Sequence, residues 1–266
     1  MRDSCEVASA IAGGADIIDA KEPTNGAIGP VTTKTLRSIA TSIQNRAPLS
    51  VALGELKDLY QTNTHDDFLE TAISLANYVK VGLADVNQCI NWLDHLDALS
   101  TRTKTHNCQL VLVAYADWNC TSPQHETNNT PATRSGQNQN AGSNISPEHA
   151  LEIAATLDAA LLIDTANKNG NCLSDHLHPT QLEKLLTHAT SLQVPVSLAG
   201  SLRGKSFRQA ATLATSPTLA VLGVRGAACT DHQRNSAINQ EKVRELKSII
   251  EAHNTLLATS AIHAGG

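Results

Sequence analysis

Aromatic and basic residues are both scarce in this sequence of 266 residues. Only 3% of the residues are Phe, Trp or Tyr, and 20 basic side chains stand against 25 acidic ones, which gives a net charge of -5. Proteins that bind nucleic acids usually present a basic surface and rings that stack on bases. The composition therefore argues against a nucleic acid as a partner.

Membrane and export signals are also missing. No run of about 18 apolar residues occurs, and residues 1–14 contain acids where a signal peptide has a basic start and a long apolar stretch. We therefore expect a cytoplasmic protein with no membrane partner.

Motifs for metals and nucleotides are absent as well. The six cysteines are scattered, with no CxxC and no Cys/His pair at zinc-ligand spacing. Neither GxGxxG nor the P-loop pattern occurs, so dinucleotide and nucleoside triphosphate chemistry lack their usual support. We predict reduced thiols and no metal site.

What the chain does have is a repeated pattern of short apolar runs, each followed by a segment with helical spacing, which indicates βα units. The predicted strands are 17–21, 49–54, 78–82, 110–115, 160–164, 194–199 and 219–224. The predicted helices are 32–45, 66–77, 85–100, 147–157, 179–192, 205–214 and 239–253. This repeat, without any break in composition, favours one TIM-type (β/α)8 barrel domain over residues 1–266, with a doubly wound open sheet as the alternative.

Two regions depart from the barrel pattern. Only seven strands can be counted, because Arg2 to Cys5 leads directly into a helical pattern; we expect a start codon placed too late, with a strand of about 5–8 residues upstream of Met1. Residues 119–144 are rich in Thr, Ser, Asn, Gln and Gly and have almost no large apolar side chains. We predict a disordered insertion there in preference to a lid, since nothing apolar is present to dock it.

Three lysines and two aspartates stand near the C-terminal ends of predicted strands, where barrel enzymes build their active sites. Period-2 alternation places Asp19 and Lys21 on one face of the first strand and Lys80 on the corresponding face of the third. Asp164 ends a later strand, and Lys168 follows in its loop.

Mutual ion pairing would account for any one of these residues, but five such groups in one barrel mouth are a costly way to gain stability. Neighbouring ammonium groups and burial lower the pKa of a lysine toward the neutral, nucleophilic amine. The residues therefore predict amine catalysis on a phosphorylated carbonyl compound.

Two glycine-containing turns suggest where a phosphate would bind, because the loops after the last two barrel strands commonly hold one. Gly200 and Ser201 follow one strand; Gly223, Arg225 and Gly226 follow the next. Glycine is common in every such turn. Arg225 adds a forked cation that suits phosphate, although a structural ion pair is its alternative role.

Five segments together resemble the (5-formylfuran-3-yl)methyl phosphate synthase family, which makes the furan precursor of methanofuran. They are AGGADIIDAKEP at 12–23, YVKVGL at 78–83, LIDTANKNG at 162–170, LAGSL at 198–202 and GVRGAAC at 223–229. They occur in the family's order, and the resemblance runs from about Val7 to the last helix. The insertion at 119–144 is longer than the family pattern, and the N-terminus is shorter.

The resemblance implies a lyase that condenses two molecules of glyceraldehyde 3-phosphate into the phosphorylated furan aldehyde, with loss of phosphate and water and without a metal or organic cofactor. It implies that Lys21 forms the Schiff base and that Lys80 accepts a proton, with Asp19, Asp164 and Lys168 in the same site. A class I aldolase on a related sugar phosphate and a non-catalytic, phosphate-sensing barrel remain as alternatives. The sequence leaves open whether the chain forms a homo-oligomer.

Overall fold

The computed structural model of the chain describes residues 1–60, 66–119, 145–168, 170–213 and 218–264. All the strands of this described part form one parallel sheet in sequence order. They are β1 (Ile18–Ala20), β2 (Leu49–Glu55), β3 (Tyr78–Gly82), β4 (Gln109–Tyr115), β5 (Ala160–Asp164), β6 (Val196–Leu198) and β7 (Leu219–Leu222). The seven predicted strands are thus confirmed, with bounds that differ by a few residues at most.

Helices connect successive strands, as βα units require. They are α1 (Cys5–Ala12), α2 (Thr33–Ile43), α3 (Leu56–Leu59), α4 (Asp66–Leu75), α5 (Trp92–Lys104), α6 (Pro147–Leu157), α7 (Leu173–His176), α8 (Pro179–Leu192), α9 (Gly204–Thr212) and α10 (Gln240–Ala264). In the described part of the chain, no helix combines the length and the apolar composition needed to cross a bilayer.

The sheet curls strongly. Neighbouring strands lie about 4.8 Å apart, so β1 and β5 would be separated by roughly 19 Å in a flat sheet. In this structure the charged groups of Lys21, directly after β1, and Asp164 in β5 are 3.9 Å apart. The fold is therefore a TIM-type α/β barrel of seven parallel strands, with one strand of the eight missing from the described part.

The gap in the barrel lies between β1 and β7, which are not paired with each other. The backbone of Met1 lies beside β1: its carbonyl accepts a hydrogen bond from the Lys21 amide at 3.0 Å, and its amino group donates to the Asp19 carbonyl. This is the hydrogen-bond pattern of parallel strands. Met1 thus occupies one strand position along the open edge of β1.

Alternating side chains divide the sheet between two apolar clusters. Ile18, Ala20, Val79 and Val81 belong to the large core between the sheet and the helices and are fully buried. Side chains on the opposite face line the inside of the curl. The apolar ones among them form a second cluster, which includes Ala52, Val111, Val113, Ala160 and Leu162.

The structure corrects two predicted helices. The last one, predicted over 239–253, continues to Ala264. The segment 85–100 was expected to be helical from its first residue, but α5 begins only at Trp92. Asp85 and Asn91 both have positive φ, at 53° and 57°, and a short 3-10 turn lies between them. Left-handed residues end a right-handed helix, so the segment before Trp92 is a loop. Of the predicted insertion at 119–144, all but Asn119 lies outside the described residues.

Candidate active site

The five predicted charged residues converge inside the curl. Ile18 and Ala20 are buried against the helices, so alternation turns Asp19 and Lys21 to the lumen, where Lys80 also lies. The Lys80 amine contacts the Asp19 carboxylate. Asp164 is 2% exposed and receives two amines, that of Lys168 at 2.6 Å and that of Lys21 at 3.9 Å.

Burial and charge together set the protonation of Lys21. Burial is the largest influence and lowers its pKa; Asp164 raises it, the neighbouring ammonium of Lys80 lowers it, and the net result is a pKa of about 8. An ordinary lysine has a pKa near 10.5. A much larger fraction of Lys21 is therefore a neutral amine at physiological pH, which is the form that attacks a carbonyl.

The two carboxylates of the site keep their negative charge because neighbouring ammonium groups stabilise it. Burial opposes the charge on Asp19, but the ammonium groups of Lys80 and Lys21 outweigh it and lower the pKa of Asp19. The pKa of Asp164 is also lowered, because Lys168 and Lys21 outweigh the effect of its burial. Both carboxylates can therefore hold the neighbouring lysines in place.

A buried aspartate that the sequence analysis did not single out shapes the loop that carries Lys168. Asp117, two residues after β4, is 3% exposed and accepts hydrogen bonds from the amides of Ala166 at 2.7 Å and Asn167 at 2.9 Å. The side-chain amide of Asn167 donates to it as well, at 3.1 Å. Asp117 thus fixes the chain between Asp164 and Lys168.

The predicted phosphate loops lie beside this cluster. Gly200 has φ of +95°, and a Cβ there would lie 3.0 Å from the Thr165 side chain, so glycine allows the loop after β6 to approach the end of β5. In the described part of the chain, the amides of Gly200, Ser201 and Gly226 donate no hydrogen bond. The Gly223 amide donates to the Leu198 carbonyl at 2.7 Å.

Arg225 has a different environment from the one expected of an open phosphate ligand. Its guanidinium forms a bidentate ion pair with Glu6 of α1, with both N···O distances at 2.8 Å. It also donates to the carbonyls of Arg234 at 2.8 Å and Ser236 at 3.3 Å. Four of its five N–H groups are thus used to join α1 to the segment after β7.

A second arginine, which sequence reasoning missed, is better placed for an anion. Arg234 is half-buried, and within the described residues its side chain makes one long hydrogen bond, to the Pro23 carbonyl at 3.4 Å. Pro23 is two residues after Lys21, so this contact brings the Arg234 guanidinium to the C-terminal end of β1. Burial lowers the pKa of Arg234, and the charge of Asp164 opposes this shift. In the sequence, only its position between the last strand and the last helix, close to the predicted phosphate loops, could have indicated this role.

Comparison with known proteins now decides the family. A sequence model described as 4-HFC-P synthase matches residues 1–247. The chain belongs to the 4-HFC-P synthase family. It is similar to two proteins named (5-formylfuran-3-yl)methyl phosphate synthase. The one from Methanocaldococcus jannaschii is 31% identical, over 92% of this chain and 94% of the relative. The one from Methanothermobacter thermautotrophicus is 28% identical, over 93% of this chain and 95% of the relative.

Solved structures agree on the fold of this member of the 4-HFC-P synthase family. It resembles 3-hexulose-6-phosphate synthase from Salmonella typhimurium, with a TM-score of 0.53 and 13% identity over 94% of this chain and 92% of that one. It also resembles 3-keto-L-gulonate-6-phosphate decarboxylase from Vibrio cholerae, with a TM-score of 0.54 and 12% identity over 95% and 94%. At such identities the likeness concerns the fold alone.

The family membership makes the chain an enzyme and confirms the resemblance seen in its motifs. As for metals, the described residues contain no group of three or more His, Cys, Asp or Glu side chains arranged to hold an ion. The groups that the structure offers for chemistry are amines and carboxylates.

Proposed function

We propose that this enzyme condenses two molecules of glyceraldehyde 3-phosphate into (5-formylfuran-3-yl)methyl phosphate through a Schiff base on Lys21. The name of its relatives supports the product, and the buried amine of Lys21, with its lowered pKa, supports the covalent route. The placement of that amine beside Asp164 and Lys80 is the single observation that carries the proposal.

The atoms of the reaction balance without an oxidant or a reductant. Two glyceraldehyde 3-phosphates contain the atoms of one furan aldehyde phosphate, one phosphoric acid and two waters. Carbinolamine and imine formation at Lys21 releases the aldehyde oxygen of the first substrate as water, and hydrolysis of the final imine adds one water back. The enzyme must therefore move protons repeatedly but transfers no net electrons.

The lysine and aspartate cluster can perform these proton transfers. Lys80 is the proton acceptor in the proposal, because its side chain faces the same space as Lys21 and is held by Asp19. Its ammonium first gives a proton to a substrate oxygen, and the neutral amine that results then takes a proton from carbon. Lys168, held by Asp164, can protonate or orient an oxygen of the substrate. General acid and base steps of this kind each contribute on the order of 10²–10⁴-fold to a rate.

The phosphate groups would lie against the loops after β6 and β7. The amides of Gly200, Ser201 and Gly226 are available to an anion, and Gly223 lets the two loops lie close together. Arg234 is the guanidinium that we assign to phosphate. Arg225 supports the same loop from behind through its pair with Glu6.

The test uses purified enzyme with glyceraldehyde 3-phosphate. We expect a product that absorbs in the near ultraviolet, as an aromatic furan aldehyde does, together with released phosphate. Borohydride reduction during turnover should attach a three-carbon phosphate adduct to Lys21, which peptide mass mapping locates. Lys34→Arg, a change at an exposed lysine of α2, is the matched control for Lys21→Arg.

Three results would contradict the proposal. A sugar phosphate product without near-ultraviolet absorbance would indicate an aldolase. An adduct on Lys80 or Lys168 instead of Lys21 would reassign the nucleophile. Substrate binding without any turnover would indicate a phosphate-sensing barrel.

A further inference from the structure

A carboxyl and phenol pair, formed by Glu55 and Tyr115, lies at the barrel mouth outside the five-residue cluster. The Tyr115 hydroxyl donates to Oε1 of Glu55 at 2.5 Å, and the Ala84 amide donates to Oε2 at 3.0 Å. Both oxygens of the Glu55 carboxyl group therefore accept a hydrogen bond. In the described part of the chain, no cation lies within 4.0 Å of Glu55 to form an ion pair with it.

The Glu55 carboxyl faces the same space as the lysines. Gly82 lies two residues after Lys80 in β3, so a side chain at position 82 would project to the lumen face. A Cβ atom built on Gly82 would overlap Oε2 of Glu55. The carboxyl group thus occupies the lumen directly above Gly82, and glycine is what leaves it room.

Tyr115 lies on this face too. It pairs with Asp164 in the register between β4 and β5, and paired residues of parallel strands project to the same side. Tyr115 is 2% exposed and belongs to the lumen cluster with Val111 and Val113. The pair therefore connects the end of β2 with the strand beside Asp164.

Protonation of the pair differs from that of the two aspartates. Burial raises the pKa of Glu55, and the hydrogen bonds from Tyr115 and Ala84 offset this only in part. Burial and the adjacent Glu55 raise the pKa of Tyr115 well above its usual value. The pKa of Glu55 is thus raised, whereas those of Asp19 and Asp164 are lowered, so of these three carboxyl groups Glu55 takes up a proton most readily.

We propose that Glu55, positioned by Tyr115 and Gly82, is an acid–base residue that protonates the oxygen leaving as water in one dehydration step. The proposal rests on the furan-forming function proposed above. In this step a base such as Lys80, in its neutral amine form, takes a proton from a substrate carbon, and the C–H electron pair forms the new C=C bond. The neighbouring C–O bond breaks, its electron pair stays on oxygen, and the Glu55 proton completes the water molecule.

The cycle closes within the enzyme. Glu55 is left as the carboxylate, and Lys80 as the ammonium that took the carbon-bound proton. Transfer of that proton back to Glu55, directly or through the released water, restores both groups. No external oxidant or reductant takes part.

The experiment separates Schiff-base formation from furan formation. Glu55→Gln keeps the shape of the side chain and an acceptor for the Ala84 amide but cannot give up a proton. Glu183→Gln is the matched control, since it makes the same change at an exposed position of α8. Borohydride trapping at Lys21, phosphate release and near-ultraviolet absorbance are measured for wild type and both variants.

We expect Glu55→Gln to form the Lys21 adduct at close to the wild-type level while furan formation falls on the order of 10²–10⁴-fold. Glu183→Gln should behave as wild type in both assays. Furan formation by Glu55→Gln within a few-fold of wild type would overturn the proposal. Loss of adduct and furan together would also overturn it, because Glu55 would then be only structural.

If Glu55→Gln does not fold, Glu55→Asp replaces it, since this variant keeps an acid that is one methylene shorter. Normal adduct formation with furan formation slowed at least tenfold would support the proposal, and unchanged furan formation would overturn it. Failure of the proposed function itself is recognised separately. In that case wild type gives neither a Lys21 adduct nor a furan.

Discussion

The amine of Lys21 and the carboxylate of Asp164 lie 3.9 Å apart, although Lys21 directly follows the first strand of the described sheet and Asp164 ends the fifth. Curling of the sheet brings these two residues together. Asp164 raises the pKa of Lys21, while burial and Lys80 lower it. The pKa of the proposed nucleophile is therefore set by residues that are distant in sequence.

Because the pKa of Lys21 is lowered, we predict that the rate of imine formation has an ascending limb in its pH profile. The neutral amine increases as the pH rises through about 8, so the rate should increase up to that pH and then level off. Stopped-flow measurement of adduct formation at a series of pH values checks this. Asp164→Asn removes a charge that raises the pKa, so the limb should shift to lower pH. A limb that stays above pH 10 in wild type would contradict the assignment.

Replacing Lys21 by arginine should separate activity from stability. Guanidinium stays protonated and cannot form an imine, yet it keeps the charge beside Asp164. We expect turnover to fall by several orders of magnitude, while the melting temperature changes by only a few degrees. Turnover near the wild-type rate would show that another lysine is the nucleophile.

The buried pair between Arg225 and Glu6 should matter mainly for stability. Arg225→Ala leaves Glu6, which is 7% exposed, without its partner, and such losses cost about 3–5 kcal/mol. Urea unfolding measures this, and Arg225→Ala combined with Glu6→Gln should recover part of the loss. If Arg225→Ala alone is as stable as wild type but binds substrate more weakly, Arg225 would instead be a phosphate ligand.

The same pair predicts a dependence of stability on acid. Burial would raise the pKa of Glu6, but the hydrogen bonds and the charge of Arg225 outweigh it and bring the pKa below its ordinary value of 4.5. Its contribution is therefore fully present above the unfolded pKa and is lost as the pH falls through the folded one. Glu6→Gln should flatten the stability curve below about pH 4.5. If Glu6→Gln leaves the slope of stability against pH unchanged, the Arg225–Glu6 pair is not the source of the acid dependence.

Arg234 should contribute to substrate affinity. Loss of a charge-assisted hydrogen bond to an anion costs about 1.5–3 kcal/mol, so KM for Arg234→Ala should rise roughly 10- to 150-fold. Arg208→Ala, at an exposed position of α9, is the control. An unchanged KM for Arg234→Ala would remove this residue from the phosphate site.

Gly82→Ala tests the space that Glu55 occupies. Gly82 does not have a positive φ, so alanine fits its backbone, but the added methyl group must displace the Glu55 carboxyl and the end of the Ile28 side chain. We expect furan formation to fall at least tenfold with Lys21 trapping retained. A crystal structure of the variant should show the carboxyl moved away from Tyr115. Normal turnover with the carboxyl displaced would mean that its position is unimportant.

Local pattern was enough to predict the strands and the five charged residues. Alternation in β1 and β3 depends only on neighbouring residues, so the lumen positions of Asp19, Lys21 and Lys80 followed from the sequence once the strands were recognised. The end of β5 gave Asp164 and Lys168 in the same way. Alternation does not predict which amine pairs with which carboxylate.

The missed residues depend on contacts between elements. Nothing near Glu55 in the sequence indicates that Gly82 makes room for its carboxyl or that Tyr115 is its donor. Arg225 and Arg234 look equivalent as basic residues after β7, and only the position of Glu6 in α1 distinguishes them. The start of α5 was misplaced because positive φ at Asp85 and Asn91 is compatible with many sequences.

Asp117 has a consequence for protein engineering. Its carboxylate, which lies just before residues 120–144 in the sequence, accepts hydrogen bonds from the amides of Ala166 and Asn167, and Ile145 is buried where the described chain resumes. The chain that carries Lys168 is therefore fixed from the ends of β4 and β5. A peptide tag inserted within residues 120–144 should leave the position of Lys168 unchanged.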